Sequence, residues 1–231
     1  MDNIIKGIIE AIQLIFSGNT EVYEVIMTSL TVSLTSVLIA TIISMPIGIF
    51  LGLKTFKGKG LFTRVLYTLM GIPPVVMGLV VFLFIARSGP LRNFRIFYTV
   101  TAMIIAQTLL ILPIIMGNIY NSARTHGEII KQSCKTLGAS RMQTLFLLIK
   151  ELRGYILIAV ATGFGRAISE VGAVYLVGGN ILHETRVMTT YITLNTSMGN
   201  YSKSIAMAII LLTLSFMVNG LIYRYIGDSD D

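Results

Sequence analysis

The chain has 231 residues, of which 54% are apolar, 13% are charged and one is a cysteine, and its formal net charge is +7. An average soluble domain carries about 25% charged residues, so this composition excludes a disordered chain, a basic nucleic-acid-binding domain and an ordinary cytosolic enzyme. The lone cysteine excludes an internal disulfide and a cysteine-based zinc site. The low charge predicts an integral membrane protein.

The first 20 residues predict an amphipathic helix that lies along the membrane surface. Isoleucines recur at helical spacing from Ile4 to Ile15, while Asp2, Lys6 and Glu10 occupy the opposite face. A cleaved signal peptide is disfavoured, because the N-terminal region is acidic rather than basic and no small-residue cleavage site follows.

Five apolar stretches are long enough, at roughly 20 residues each, to cross a bilayer as helices. They are Val25–Leu53, Leu61–Ala86, Tyr98–Tyr120, Tyr155–Val177 and Ser204–Ile226. We therefore predict an all-α polytopic membrane protein. Its residues 21–227 form one transmembrane domain, and an acidic tail follows at residues 228–231.

The distribution of lysine and arginine predicts the orientation of these spans. The loops after the first and third spans carry ten basic residues in or beside them, against five in the intervening loops. Cytoplasmic loops are enriched in lysine and arginine. The N-terminus is therefore expected outside the cell and the C-terminus in the cytoplasm.

The first two spans contain features that shape helices. Pro73 and Pro74 lack backbone donors and interrupt the second span. The interruption is either a structural kink or a bend that lines a pathway. In the first span, Gly48 and Gly52 are four residues apart and permit close packing against a neighbouring helix. The serine and threonine hydroxyls of that span are expected to bond neighbouring helices or their own backbone.

The fourth span combines small and ionisable residues. Arg166 and Glu170 are four residues apart, and an ionisable residue inside a span is a functional candidate by default. They form a structural or gating ion pair, or they contact a permeating ion. Gly179 and Asn180, at the end of this span, form a helix cap and turn or contact a ligand. A stripe of small residues recurs every four positions: Ala161, Gly165, Ser169 and Ala173.

The loop at residues 121–153 predicts a helical hairpin. Thr125–Glu128 and Ser140–Gln143 both fit the capping box, in which a hydroxyl precedes a carboxylate or amide by three residues. Gly138 stands where a helix commonly ends with a left-handed residue. The prediction is a short helix, a Gly-Ala-Ser turn and a second helix. The loop is either a plain connection or an element that docks into a groove of a partner.

The turn of this hairpin resembles a known protein family. Gln132-Ser133-Cys134, followed after three residues by Gly138, is similar to the Glu-Ala-Ala-x-x-x-Gly loop of permease subunits of binding-protein-dependent ABC importers. Here glutamine replaces the glutamate, and serine and cysteine replace the alanines. In that family the loop is the coupling helix, which lies in a cleft of the ATPase subunit.

Other segments extend the resemblance from about residue 20 to residue 226. The run Pro73–Gly78 is similar to a Pro-Pro-x-Val-x-Gly run of these permeases, and Gly163–Val174 resembles a signature of their molybdate/tungstate/sulfate branch. Three further segments look closest to tungstate permeases: Arg87–Leu91, Gly178–Ile181 and Thr185–Thr190.

The resemblance implies the type I ABC importer permease fold and a multi-pass location in a prokaryotic cell membrane. It implies a homodimer surrounded by lipid, two ABC ATPase subunits and an extracytoplasmic oxyanion-binding protein. The cargo would be tungstate, with molybdate, sulfate or another solute as the alternative. The residues expected to couple to the ATPase are Gln132, Ser133, Cys134, Gly138, Ala139 and Ser140. The pathway or gate candidates are Pro73, Pro74, Arg166, Ser169, Glu170, Gly179 and Asn180.

The sequence contains no motif for catalysis on this chain. The segment from Gly52 to Gly60 falls short of a phosphate-binding loop, because five residues separate its first glycines and Gly60 replaces the required serine or threonine. We therefore expect no catalytic residue, no metal and no cofactor here, with ATP and magnesium on a separate subunit, and no nucleic-acid partner. A stand-alone secondary carrier or channel is the alternative of another class, but it would not need the capped hairpin.

Overall fold

A computed structural model describes residues 20–227, together with Ile5, Ile8, Ile9 and Gln13. The predicted amphipathic segment otherwise lies outside the described residues, as does the acidic tail at residues 228–231. Within residues 20–227 the chain is almost entirely α-helical and forms no strand, which confirms the all-α prediction. Its helices are α1 (Thr20–Leu53), α2 (Lys59–Met70), α3 (Pro74–Ile85), α4 (Val100–Thr136), α5 (Arg141–Glu151), α6 (Arg153–Ile168), α7 (Gly172–Gly178), α8 (Met188–Ser197) and α9 (Tyr201–Gly227), with a 3₁₀ turn at Arg92–Phe94.

Three of these helices, α1, α4 and α9, are each long and apolar enough to cross a membrane. The number rises to five if the pair α2 and α3 and the pair α6 and α7 each make one broken span. The first break was predicted: Pro73 is extended, with φ −62° and ψ 132°, and Pro74 begins α3. The second break, between Ile168 and Gly172, was not predicted from the sequence.

Helix α4 corrects the prediction for the start of the hairpin. It runs without interruption from Val100 to Thr136, so Thr125 lies inside a helix and does not cap a new one. The helix continues through Gly127, where an added Cβ would lie 2.9 Å from Cδ2 of Leu53. His126, expected in that cap, instead stacks on Tyr155 with the ring centroids 4.6 Å apart.

The chain divides into two compact units, the first of which comprises residues 1–36, 73–107 and 165–219. Its hydroxyls bond across helices as expected. Ser29 Oγ accepts the Met188 N–H at 2.7 Å, and Ser36 Oγ donates to the Ile104 carbonyl at 3.2 Å. Its apolar core is formed by Val32, Val81, Ile85, Ala102, Met103, Ala106, Val174, Val177 and Val187.

The second unit comprises residues 37–72, 108–164 and 220–231. Close packing at Gly52 is confirmed, since a Cβ there would lie 2.8 Å from Cβ of Ala123 and 2.9 Å from the Tyr120 carbonyl oxygen. Ser44 Oγ also donates to the Leu112 carbonyl, at 3.1 Å. These contacts hold the C-terminal part of α1 against α4, beside the hairpin that follows.

Candidate functional site

The hairpin turn at the end of α4 is built by a Schellman motif. Gly138 adopts a left-handed conformation with φ 71°. The Ala139 N–H donates to the Cys134 carbonyl at 3.0 Å, and the Gly138 N–H donates to the Lys135 carbonyl at 3.1 Å. These bonds satisfy carbonyls that the helix end would otherwise leave unpaired. The predicted role of Gly138 in the turn is confirmed.

The start of α5 is fixed by the predicted capping box. Ser140 Oγ accepts the Gln143 N–H at 3.3 Å, and Gln143 Oε1 accepts the Ser140 N–H at 2.8 Å. Each side chain thus satisfies a backbone donor of the other residue. Because both sides of the turn are hydrogen-bonded, the hairpin presents its tip in a defined shape.

The predicted coupling residues differ in exposure, and Ala139 is partly buried. Gln132, Ser133, Gly138 and Ser140 are exposed. Cys134 is only 2% exposed, so its thiol is not accessible to a partner.

The sequence predicts an apolar docking face with Ile129 and Leu137 before this turn, but it did not lead us to expect the exposed apolar side chains of α5 after it. Leu137, at the tip, is 85% exposed, and Ile129, Met142 and Phe146 are also exposed. The four-residue spacing of Met142 and Phe146 was the available signal, because it places them on one face of α5. Exposed apolar side chains that cluster on one element are typical of a protein contact.

Pro73 and Pro74 position the apolar helix α3 at a close contact. Gly78 lies against α7, where an added Cβ would come within 2.6 Å of the Ala173 Cα atom. On the other side, a Cβ at Gly172 would lie 2.7 Å from Cγ2 of Val75. The proline break therefore starts a helix that packs directly on α7, with a glycine of each helix at the contact.

Glu170 lies at the unpredicted break and is only 6% exposed. Its Oε1 accepts the Ala173 N–H at 3.0 Å, and its carbonyl accepts the Thr189 hydroxyl at 2.7 Å. An ion pair with Arg166, one of the two alternatives left open by the sequence, is not found among the ion pairs of residues 20–227. That alternative was wrong because α6 ends at Ile168, so the two residues no longer share a helical face. The stripe of small residues is interrupted at the same point.

A small cavity adjoins Glu170 within the first unit. Ser33, Gln107 and Thr189 contribute to its lining, and its volume of about 10 Å³ is room for roughly one water molecule. Gln107 Nε2 donates to the Ala167 carbonyl, whereas its Oε1 has no hydrogen-bond partner within the described part of the chain. Half of the residues that line this cavity are polar and half are apolar, and its volume is too small for an oxyanion. Arg166 and Ser169, by contrast, have exposed side chains.

The turn after α7 forms a hydrogen-bonded structure. Gly179 and Asn180 are both left-handed, with φ 72° and φ 53°. Arg186 Nε donates to Asn180 Oδ1 at 3.3 Å, and Arg186 Nη1 lies 3.2 Å from Glu21 Oε1. The cap-and-turn interpretation of Gly179 and Asn180 accounts for these contacts.

The described residues hold no group of three or more histidine, cysteine, aspartate or glutamate side chains placed to bind a metal ion. The site is therefore best described as two separate features. One is a hydrogen-bonded hairpin tip with exposed apolar side chains, and the other is a set of polar residues within apolar helices.

Comparison with known proteins places these features in context. Residues 44–226 match the family described as the binding-protein-dependent transport system inner membrane component. The tungstate uptake system permease protein TupB of Peptoclostridium acidaminophilum is 46% identical over 223 residues, which cover 96% of this chain and 98% of that protein. The protein of the same name from Campylobacter jejuni is 32% identical, over 97% and 94% of the two chains. The molybdenum transport system permease protein ModB of Azotobacter vinelandii is 26% identical, over 83% and 88%.

Proposed function

The chain belongs to the family of binding-protein-dependent transport system inner membrane components, and from this premise we propose that it is the membrane permease subunit of an ATP-driven tungstate importer. The proposed cargo rests on a difference in sequence identity between two kinds of relatives. The chain shares 46% of its residues with a tungstate permease over nearly its full length, but 26% with a molybdenum permease. Molybdate is the second candidate cargo, because that relative also aligns over most of this chain.

The hairpin is the proposed docking element for a separate ATPase subunit. Its tip carries Leu137, whose side chain is 85% exposed. The hydrogen bonds of the turn hold this residue at the tip. Met142 and Phe146 extend the apolar surface along α5. A short helical tip with exposed apolar side chains suits a groove of a partner protein.

Helix α4 provides the proposed link between ATP hydrolysis and transport. It is one helix of 37 residues, which corresponds to roughly 55 Å at 1.5 Å per residue. Its C-terminal part forms the first side of the docking hairpin. Its N-terminal part packs in the apolar core of the first unit. Movement of the ATPase subunits would therefore reach the spans through a continuous helix, without a hinge at Thr125.

Two copies of the chain are proposed to enclose the pathway. Thr162, Arg166 and Ser169 are exposed in a single chain although they belong to the apolar fourth span. Lipid is a costly environment for a guanidinium group. A pathway between two copies would surround these side chains with water and with the permeating anion. Arginine and hydroxyl groups are suitable hydrogen-bond donors for such an anion. The binding protein would deliver the anion from outside, with the docking hairpin in the cytoplasm.

The proposal is tested by purifying the chain together with the ATPase and binding-protein subunits of the same transporter. We expect the ATPase subunit to co-purify in detergent, and its hydrolysis rate to rise with the binding protein loaded with tungstate. Molybdate and sulfate are compared under the same conditions. Loss of the ATPase subunit on purification would contradict an ABC permease. Equal stimulation by molybdate would contradict tungstate as the preferred cargo.

A further inference from the structure

A groove of about 760 Å³ lies within the second unit, next to the docking hairpin. Its walls are the C-terminal end of α1, the end of α4 and one side of α5. The floor is apolar, with Ile47, Phe50, Leu145 and Leu148 among its lining residues. A groove of this size falls within the range of about 300–1,000 Å³ that is usual for small-molecule sites.

The rim of this groove is basic. Lys54, Lys131, Lys135 and Arg141 line it, and no acidic residue does. Lys131 is already engaged, because its Nζ lies 2.9 Å from Glu128 Oε2 and 3.2 Å from the Leu53 carbonyl oxygen. The other three have no carboxylate within ion-pair distance in residues 20–227. The groove thus joins an apolar floor to three cations without a carboxylate partner, one of which, Lys54, has its Nζ 4.8 Å from the centroid of the Phe50 ring.

The groove lies where the apolar surface of α1 ends. Ile42, Ile47 and Phe50 are exposed along this helix, as expected for side chains that face lipid tails. Lys54 follows immediately after the helix and marks the change to a polar surrounding. Basic residues at such a boundary attract the anionic headgroups of a membrane.

We infer that this groove binds one anionic phospholipid. An acyl chain lies along the apolar side chains between Ile47 and Leu53, and the phosphate contacts Lys54, Lys135 and Arg141. An anionic phospholipid suits both halves of the groove. A free phosphate would leave the apolar floor exposed to water. A zwitterionic lipid would leave the positive charge of the rim unbalanced. Because Arg141 begins α5 and Lys54 follows α1, the lipid holds the docking hairpin against the membrane end of α1. The inference goes beyond the proposed transport function and does not depend on the cargo.

The test uses the full chain in nanodiscs that contain phosphatidylcholine and phosphatidylglycerol. Native mass spectrometry counts the lipids retained after release from the disc. We expect phosphatidylglycerol to be retained roughly tenfold over phosphatidylcholine, because its net negative charge is attracted to the basic rim, whereas the choline group of phosphatidylcholine cancels that charge. A photoactivatable acyl chain on phosphatidylglycerol should label peptides that contain Ile47–Leu53 and Leu145–Leu148.

Two triple variants separate this site from the general positive charge of the protein. Serine at Lys54, Lys135 and Arg141 removes the rim, and serine at the exposed residues Lys57, Arg124 and Lys150 removes the same charge elsewhere. None of the three control residues lines the groove, and all three are exposed.

Loss of retention in the rim variant alone, with both variants melting like the native chain, supports the site. Equal loss in both variants, or no preference for phosphatidylglycerol, overturns it. The same labelling is repeated with ATPase subunits bound. If they abolish lipid labelling and crosslink to the groove themselves, the groove is a protein contact and the lipid site is wrong.

Discussion

Replacement of Gly138 by valine tests the docking turn through its backbone alone. An added Cβ at Gly138 meets no atom within 4 Å, so the substitution causes no clash. The backbone, however, has φ 71°. That conformation costs an ordinary L-residue about 1–2 kcal/mol, and a β-branched side chain is among the least suited to it. The turn therefore opens, and the two hydrogen bonds that it makes to Cys134 and Lys135 are lost.

The expected effect is weaker binding of the ATPase subunit. If the native turn must be restored on docking, a cost of about 1–2 kcal/mol raises the dissociation constant roughly five- to thirtyfold. The assay is titration of purified ATPase subunits onto the permease in nanodiscs, followed by a measurement of substrate-stimulated hydrolysis.

Two matched variants identify the cause. Gly138→Asn should bind the ATPase nearly as well as the native chain, because asparagine tolerates the left-handed conformation. Gly60→Val should also have little effect, since Gly60 likewise has open space around it and has an ordinary φ. Native binding by Gly138→Val, or equal loss in the valine and asparagine variants at Gly138, would refute the reasoning.

Four further predictions concern stability, transport and topology. Gly78→Val should lower the free energy of unfolding by about 1–3 kcal/mol, because the added side chain meets backbone atoms of α7; thermal denaturation in detergent measures this. Glu170→Ala should destabilise by about 1–3 kcal/mol in the same assay, because it leaves a buried backbone N–H without its acceptor. Arg166→Met should reduce tungstate uptake without changing assembly or melting temperature, since the exposed guanidinium has no carboxylate partner in residues 20–227. Leu137→Cys should react with a membrane-impermeant maleimide only from the cytoplasmic side, whereas the buried Cys134 should remain unlabelled in intact protein.

Each of these has a control in the chain. Gly220→Val adds the same side chain as Gly78→Val but into open space, so equal destabilisation by the two would contradict the packing argument. Glu170→Gln keeps an acceptor for the Ala173 N–H and should melt near the native temperature. Arg224→Met removes another exposed arginine, and an equal loss of uptake would argue against a specific role for Arg166. Labelling of Leu137→Cys from outside would reverse the proposed orientation.

The features that the sequence predicted correctly depend on neighbouring residues. The Ser140 cap and the Gly138 turn each involve groups within five positions, and these groups bond as their spacing indicates. The break before α3 follows from the missing donors of Pro73 and Pro74. Close packing at Gly52 was predictable because glycine has no side chain, so the sequence alone shows where a neighbouring helix can approach.

The features that the sequence did not predict depend on distant residues. A threonine three positions before a glutamate caps a helix only if the backbone there is unpaired, and inside α4 the Thr125 backbone belongs to a continuous helix. The break after Ile168 has no proline. The bonds that hold it come from the Ala173 N–H to Glu170, and from Thr189, which lies 19 residues along the chain. No local pattern indicates that partner.

The most direct test of the central claim is uptake of labelled tungstate into proteoliposomes that contain the chain with its ATPase and binding-protein subunits. We predict accumulation against a gradient that requires ATP and the binding protein. Uptake should also fall when Gly138 is replaced by valine but persist when it is replaced by asparagine. Uptake by the chain alone, driven by an ion gradient and indifferent to ATP, would contradict the account and favour a stand-alone carrier.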